Sequence, residues 1–262
     1  VGDIHGDYDR LIKILRHAKL IDRRNNWIGK DSILIQVGDL IDRADDTIKI
    51  FDILMKLRDQ AKEVGGIVNV LIGNHELMAL QGNYVFASIG DFDSFGGLEN
   101  REKEFSLEGK YGEFIRKQMN VSMIIDDTIF CHSGISSNFL EQGIDYLNDY
   151  AHDLFTNIPP FDELYDSVVL QGKNHPIYTD PLVEMSGPLW SSGFVSNAES
   201  KACPEIEKVL NMTNTKRMVI GHTVQNYGQI KTRCDNKLII IDIGISSCIG
   251  GYYGYLEILN NE

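Results

Sequence analysis

Five short stretches constrain this chain more than anything else in it. Each is an apolar run that delivers polar side chains at its carboxyl end. Val1-Gly2-Asp3-Ile4-His5-Gly6 opens the chain, and Ile33–Val37 runs into Gly38-Asp39-Leu40-Ile41-Asp42-Arg43. Val70-Leu71-Ile72 leads to Gly73-Asn74-His75-Glu76, Thr128–Cys131 leads to His132, and Met218–Gly221 leads to His222. Buried strands that present polar residues at their carboxyl ends are how open α/β sheets build active sites. Asp3, His5, Asp39, Asn74, His132 and His222 form a set of hard oxygen and borderline nitrogen donors. Such a set suits two divalent ions.

The segments between these stretches fit that frame. Apolar spacing predicts a helix over Tyr8–Leu20 and a longer one over Asp46–Val64, stopped by Gly65-Gly66. Strands are expected at Ser32–Val37 and Ile67–Ile72. The alternation β-α-β-α-β with short turns implies right-handed crossovers and a largely parallel sheet. Gly90–Gly97 reads as an exposed loop, and Leu98–Asn120 as a helix or two broken near Gly109 and Gly112. Val121–Ile125 and Thr128–His132 suggest a hairpin, and Ser136–Phe155 is helical in pattern. Asn157–Leu189 holds most of the six prolines, with a short helix near Phe161–Leu170. It reads as a cap or insertion around 157–189. β structure returns at Arg217–Gly221, Gln229–Thr232, Leu238–Ile243 and Tyr252–Leu259. Because motifs recur from the first residues to about 247, residues 1–262 are read as one domain.

Composition narrows the function classes. The formal net charge is −13, which disfavours nucleic acid, since that partner needs a basic footprint. A phosphate substrate remains compatible, because two divalent cations place positive charge where it counts. No apolar run approaches the roughly 20 residues that span a bilayer. No leader is visible, and the chain opens on Val1 inside a strand pattern, so targeting and an anchor upstream of residue 1 stay open. The four cysteines form no C-x-x-C pair, so a zinc finger is not expected. Cys131 lies in an apolar strand. Cys203 is expected just before a short helix and Cys234 after a turn; the two flank the strand at Arg217 and could meet as a disulfide. Asn120-Val121-Ser122 and Asn211-Met212-Thr213 match the glycosylation pattern, which is too short to decide the compartment.

The donor types assign roles. Asp39 offers a carboxylate able to bridge two cations, Asn74 a neutral amide oxygen, and His132 and His222 nitrogens. With Asp3 and His5 they give three donors to one ion and four to the other, leaving positions for water and a phosphoryl oxygen. Alone, Asp3-Ile4-His5 could be a helix cap and a surface histidine; the conjunction of five strand ends decides against that. His75 follows the candidate ligand Asn74 and is placed to protonate a leaving-group oxygen. Asp42 could orient that imidazole, and Arg43 suits bidentate phosphate recognition. His17, His152 and His175 lack such a setting and are read as surface or structural.

These residues resemble the phosphoprotein phosphatase branch of the calcineurin-like metallophosphoesterases, with His132-Ser133-Gly134 and Gly221-His222-Thr223 completing the pattern. Phe95-Gly96-Gly97 with Arg101, Gly187-Pro188-Leu189-Trp190 and Asp242-Ile243-Gly244-Ile245-Ser246 are similar to the Shewanella-like phosphatase group, nearest its fungal members that include a vacuolar endopolyphosphatase. The resemblance implies a four-layer α/β/β/α sandwich. It places Asp3, His5 and Asp39 on a first metal, and Asp39, Asn74, His132 and His222 on a second. A metal-bridging hydroxide would attack phosphorus in line, Arg43 would hold phosphate oxygens, and His75 with Asp42 would assist the leaving group. Zn or Mn is favoured, with Co and Fe admitted by the same donors.

Two positions depart from the family pattern. Ala44 stands where a glycine follows the Asp-Arg pair, which requires negative φ there. Ser192 stands two residues after Trp190, where related members carry an arginine, so a second phosphate clamp falls to another residue. Arg101 is the candidate, against the alternative that it pairs with Glu102 or Glu104. The expected activity, by resemblance to the fungal members, is cleavage of phosphoanhydride bonds in inorganic polyphosphate, in a vacuole or secretory lumen by the same resemblance and otherwise in the cytoplasm; the alternative activity is dephosphorylation of Ser, Thr or Tyr in proteins. A catalytically dead binding module is disfavoured by the intact donor set. The sequence leaves oligomeric state open.

Overall fold

The structure, a computed structural model, describes residues 1–259. Chain order begins α1 (Tyr8–His17), β1 (Ile33–Gln36), α2 (Thr47–Glu63), β2 (Ile67–Val70) and α3 (Asn74–Leu80). Then come α4 (Ile89–Phe95), α5 (Leu98–Phe105), α6 (Lys110–Gln118), β3 (Ser122–Ile125), β4 (Thr128–Cys131) and α7 (Ile144–Thr156). Short α8 (Phe161–Tyr165), α9 (Pro176–Thr179) and α10 (Gly193–Ser196) precede α11 (Glu199–Thr213), β5 (Arg217–Ile220), β6 (Lys231–Arg233) and β7 (Leu238–Ile240).

β1 and β2 pair in parallel, with Ile33 opposite Ile67. The chain's first residue extends that sheet: the Val1 amino group donates to the Ile35 carbonyl at 2.8 Å, and Val37 N–H donates to the Val1 carbonyl at 3.2 Å. The second sheet runs β3-β4-β5-β7-β6, with a parallel centre and an antiparallel strand at each edge. Side chains alternate along a strand, and here the alternation sorts two cores. Ile35, Val37, Leu71, Phe130, Val219, Ile239 and Ile241, from both sheets, form one buried cluster. Leu34, Ile129, Met218, Ile220, Leu238 and Ile240 belong to the larger cluster shared with α1, α2, α7 and α11. Sheet therefore faces sheet and helices cover the outer faces, the expected four-layer α/β/β/α arrangement. The opening stretch and the carboxyl ends of β1, β2, β4 and β5 meet on one side, where Asp3, Asp39, Asn74, His132 and His222 are in contact. A cavity of about 670 Å³ lies at the other end, lined by Ile33, Asp126, Asp127 and Leu256.

Several local expectations are corrected. Gly90–Gly97 is not an exposed loop: it carries α4, with Asp91 and Phe95 buried. Its glycines and aspartates are poor helix formers, but the ends are well closed. The Ser88 hydroxyl accepts the Asp91 N–H at 2.9 Å, Gly96 takes the left-handed conformation (φ 79°), and Gly97 N–H returns to the Phe92 carbonyl. Gly112 does not break a helix; it lies inside α6, where a Cβ would fall 1.9 Å from the Ser106 carbonyl oxygen. Cys203 lies within α11 rather than before it, because the helix begins at Glu199 and runs through Pro204. Tyr252–Leu259 forms no strand; Leu256 and Ile258 pack against the intersheet core instead. Cys203 and Cys234 are joined as a disulfide with their Cα atoms 5.4 Å apart, tying α11 to the β6–β7 turn.

Candidate metal centre

The motif turns are built from left-handed residues other than glycine. His5 (φ 46°), Asp39 (φ 56°), Asp42 (φ 68°), Arg43 (φ 71°) and His222 (φ 64°) all adopt this conformation. Such residues cost about 1–3 kcal/mol each and persist where surrounding contacts over-determine them. Here the contacts are plain. The Asp39 carbonyl accepts the N–H groups of Ile4 and His5 at 2.9 and 3.0 Å, and the Leu40 carbonyl accepts Gly6 N–H. The buried Glu76 carboxylate accepts N–H groups of Asp39, Leu40 and Gly73 at 2.8–2.9 Å. Ala44 has no positive φ; Asp42 and Arg43 make the turn, so the missing glycine costs nothing there. Close approach does require Gly73 and Gly221. A Cβ on either would lie 2.2 Å from a carboxylate oxygen, of Asp39 and Asp3 respectively.

The candidate ligands converge. The His132 Nδ1 lies 2.8 Å from the Val37 carbonyl, so that nitrogen carries the hydrogen and Nε2 is bare. Nε2 faces Asn74 Oδ1 at 3.0 Å and Asp39 Oδ1 at 3.4 Å. His222 repeats the logic in reverse. Its Nε2 donates to the Trp190 carbonyl at 3.0 Å, and its Nδ1 faces the same Asn74 oxygen at 2.9 Å. Two bare imidazole nitrogens, a carboxylate and an inward amide oxygen are all acceptors, and a cation satisfies them together. On the other side, His5 is oriented by the Ile41 carbonyl at 3.2 Å, with Nε2 3.7 Å from Asp39 Oδ2. Asp3 lies beside this group and accepts the His222 backbone N–H at 3.0 Å. The donor chemistry fits two divalent ions sharing Asp39.

Next to the donors stands a hydrogen-bonded pair. His75 Nδ1 is 2.8 Å from Asp42 Oδ2, both side chains buried, while His75 Nε2 lies 3.9 Å from Asp39 Oδ2. Arg43 is exposed at the mouth, its guanidinium 4.6 Å above the Phe86 ring, which itself lies 5.3 Å from the His75 ring. Arg101 is a correction. It does not reach the mouth and pairs with neither Glu102 nor Glu104. It is fully buried behind Asp42, bonded through Nη2 to Asp42 and through Nε to Asp91. Ser192 is exposed and supplies no cation in its place.

Residues 1–226 match the calcineurin-like phosphoesterase family. The chain belongs to the calcineurin-like metallophosphoesterases. It is 29% identical to an uncharacterized protein of Schizosaccharomyces pombe, over all of this chain and 77% of that one. It is 30% identical to Shewanella-like protein phosphatase 1 of Plasmodium berghei, over 94% of this chain and 66% of that one. The crystal structure of a cold-active protein-tyrosine phosphatase of a psychrophilic Shewanella superposes with a TM-score of 0.76 at 27% identity, covering 96% of this chain and 71% of that one. A shorter stretch of 80 residues, 30% of this chain and 21% of the other, is 32% identical to the zinc-dependent endopolyphosphatase of Saccharomyces cerevisiae. The enzymes of this family are metal-dependent hydrolases.

The electrostatics of this metallophosphoesterase centre call for cations. Burial pushes the Asp39 carboxyl up, but His132, His75 and His5 outweigh it and hold it well below the usual carboxylate range. Asp3 is raised by burial and by Asp242 and Asp39. Glu76 is raised to about 7 by burial and Asp39, and Asp242 to about 6 by burial above all. Burial lowers His5 and His222 to about 4, leaving both neutral and able to ligate at pH 7. Burial alone would lower His75, but Asp39 and Asp42 overcome it and raise it.

Sequence reasoning quoted Glu76 and Asp242 inside motifs and gave them no role. Glu76 turns out to clamp three motif N–H groups, and the buried Asp242 accepts the Gly244 N–H at 3.0 Å. Gly187–Trp190 is a brace as well as a signature: the Pro188 carbonyl accepts from Ser133, and the Trp190 carbonyl orients His222. The three histidines left aside lie elsewhere. His152 bonds the Met119 carbonyl, His175 caps α9, and His17 packs by Tyr255.

Proposed function

We propose that this metallophosphoesterase is a phosphoprotein phosphatase, with Asp3, His5 and Asp39 on one divalent ion and Asp39, Asn74, His132 and His222 on the other. Two bound cations would supply an activated water and neutralise charge gathering on the phosphoryl oxygens. The chain's own residues do the rest. Arg43 grips phosphoryl oxygens at the mouth. His75, held by Asp42 through Nδ1, offers its Nε2 proton to the departing oxygen. Phe86 and the neighbouring exposed Val85 give the mouth an apolar lip suited to a peptide.

The observation that carries the substrate class is the buried His75–Asp42 pair. A serine, threonine or tyrosine oxygen leaves as a strong base and needs a proton, whereas a phosphate leaving group needs little help. The likeness to Shewanella-like protein phosphatases along nearly the whole chain supports the same choice. So does the inward turn of Arg101, since a polyanion wants several cations at the mouth. Polyphosphate cleavage is the second reading, favoured by the 80-residue likeness to the yeast endopolyphosphatase. The Cys203–Cys234 bridge supports residence in an oxidising lumen, such as a vacuole or the secretory pathway. We also read residues 1–262 as one domain, with 157–189 as a cap over the centre.

The test is a paired assay on enzyme stripped with chelator and reloaded with Zn or Mn. Phosphopeptides and long-chain polyphosphate are offered at matched enzyme concentration, with an Asn74→Asp, His75→Asn double variant as control. Peptide turnover with intact polyphosphate supports the proposal. Polyphosphate shortening without peptide turnover overturns it in favour of the second reading.

A further inference from the structure

We propose that Arg101 is a positioning residue for the leaving-group acid, the link between two carboxylates in a buried chain Asp91–Arg101–Asp42–His75. The inference rests on the reading of His75 as that acid. The links are direct: Arg101 Nε to Asp91 Oδ2 at 2.8 Å, Arg101 Nη2 to Asp42 Oδ1 at 3.2 Å, and Asp42 Oδ2 to His75 Nδ1 at 2.8 Å. Asp42 thus spends one oxygen on His75 and the other on Arg101. A carboxylate held at both oxygens cannot rotate, so the imidazole it holds is fixed in tilt, with Nε2 kept 3.9 Å from Asp39 Oδ2.

The guanidinium is itself fixed more firmly than an ion pair alone requires. It is wholly buried, and its central carbon lies 4.8 Å from the centroid of Phe105, 5.1 Å from Tyr84, 5.6 Å from Phe92 and 5.9 Å from Phe95. Four rings lock its plane, and a planar donor fork is what lets one side chain bridge two carboxylates. The local sequence exists to deliver it. Phe95-Gly96-Gly97 ends α4 with two positive-φ glycines (79° and 119°) and starts α5 at Leu98, so Asp91 on one helix faces Arg101 on the next. Seen this way, the Phe-Gly-Gly…Arg signature belongs to proton delivery rather than to phosphate binding. A buried cation is costly unless paired, and the pairing here terminates on the carboxylate that holds His75 Nδ1.

A positioning role and a structural role separate in a leaving-group series. The probes are aryl and alkyl phosphates ordered by the basicity of the departing oxygen, assayed on the metal-loaded full chain. His75→Asn calibrates the series; it should lose most with alkyl phosphates and least with p-nitrophenyl phosphate. Arg101→Lys keeps the charge and loses the fork. Its expected behaviour is the same pattern in weaker form, roughly tenfold or more lost in kcat on alkyl phosphates and little on p-nitrophenyl phosphate, with KM unchanged. Should Arg101→Lys fail to fold, Asp91→Asn reads the same effect from the far end of the chain. An equal loss across the series, or none, in the folded variant overturns the inference. If His75→Asn itself shows no leaving-group dependence, it is the acid assignment that falls.

Discussion

At the residue scale, the centre is a set of acceptors and buried acids arranged to be completed by cations, and this has a pH signature. Glu76 at about 7 and Asp242 at about 6 are raised above the ordinary carboxylate values. A raised acid contributes stability that is present below its unfolded pKa and lost as pH climbs through its folded one. The metal-free fold therefore loses stability as pH climbs from about 4.5 through 7 and these buried carboxyls become charged, and a bound cation offsets that charge. The rise in Tm on adding Zn or Mn to stripped protein should be larger at pH 8 than at pH 5.5; scanning fluorimetry that finds the reverse order contradicts this. Glu76→Gln should lower stability by about 1–3 kcal/mol, because three buried N–H groups lose a carboxylate acceptor. An unchanged urea midpoint would mean those groups find other partners. Donor types and strand ends made the convergence of Asp3, His5, Asp39, Asn74, His132 and His222 legible in the sequence. Arg101 was not, because an arginine in a phosphate-site signature looks the same whether it faces the substrate or the interior.

At the element scale, long apolar runs read correctly and short capped ones did not. β1, β2, β4, β5 and α2 carry their signal in apolar period, which burial on a sheet enforces. α4 carries its signal in its ends, Ser88 and Gly96, while its interior reads as a turn. Gly96→Ala should therefore cost about 1–2 kcal/mol, the price of a left-handed Cβ, and lower Tm by roughly 2–4 °C per kcal/mol. No change in the melt would show that the α4–α5 turn tolerates another path. The bridge between α11 and the β6–β7 turn, spanning a sequence separation of 31, is expected to contribute roughly 2–4 kcal/mol. Cys203→Ser should shift the urea midpoint down, with a steeper slope because the unfolded chain is no longer crosslinked. Equal midpoints, together with no more alkylation of the unfolded chain after reduction than before it, would remove the bridge from the account.

At the scale of the whole molecule, a surface with formal charge −13 surrounds a centre that must gather phosphate. Long-range repulsion of anionic partners and attraction of basic ones follow, screened by salt. Phosphopeptides flanked by Lys and Arg should be turned over with higher kcat/KM than acidic-flanked ones at low ionic strength, and the gap should close as salt is raised. A preference for acidic flanks would contradict this electrostatic account. The fold class was the most legible level, since five strand ends carrying donors leave few architectures that bring them together. The tail at 252–259 was misread because packing on the intersheet core needs the same alternation as a strand but no ladder partner.

The most direct measurement is the metal content of the purified chain by inductively coupled plasma mass spectrometry, taken beside its Asp39→Ala and His222→Ala variants. Two ions per wild-type chain, one retained in His222→Ala and both lost in Asp39→Ala are the predicted result, because Asp39 faces both sets of donors. A wild-type chain that turns over phosphopeptide with fewer than two ions, or an Asp39→Ala variant that keeps both, would contradict it.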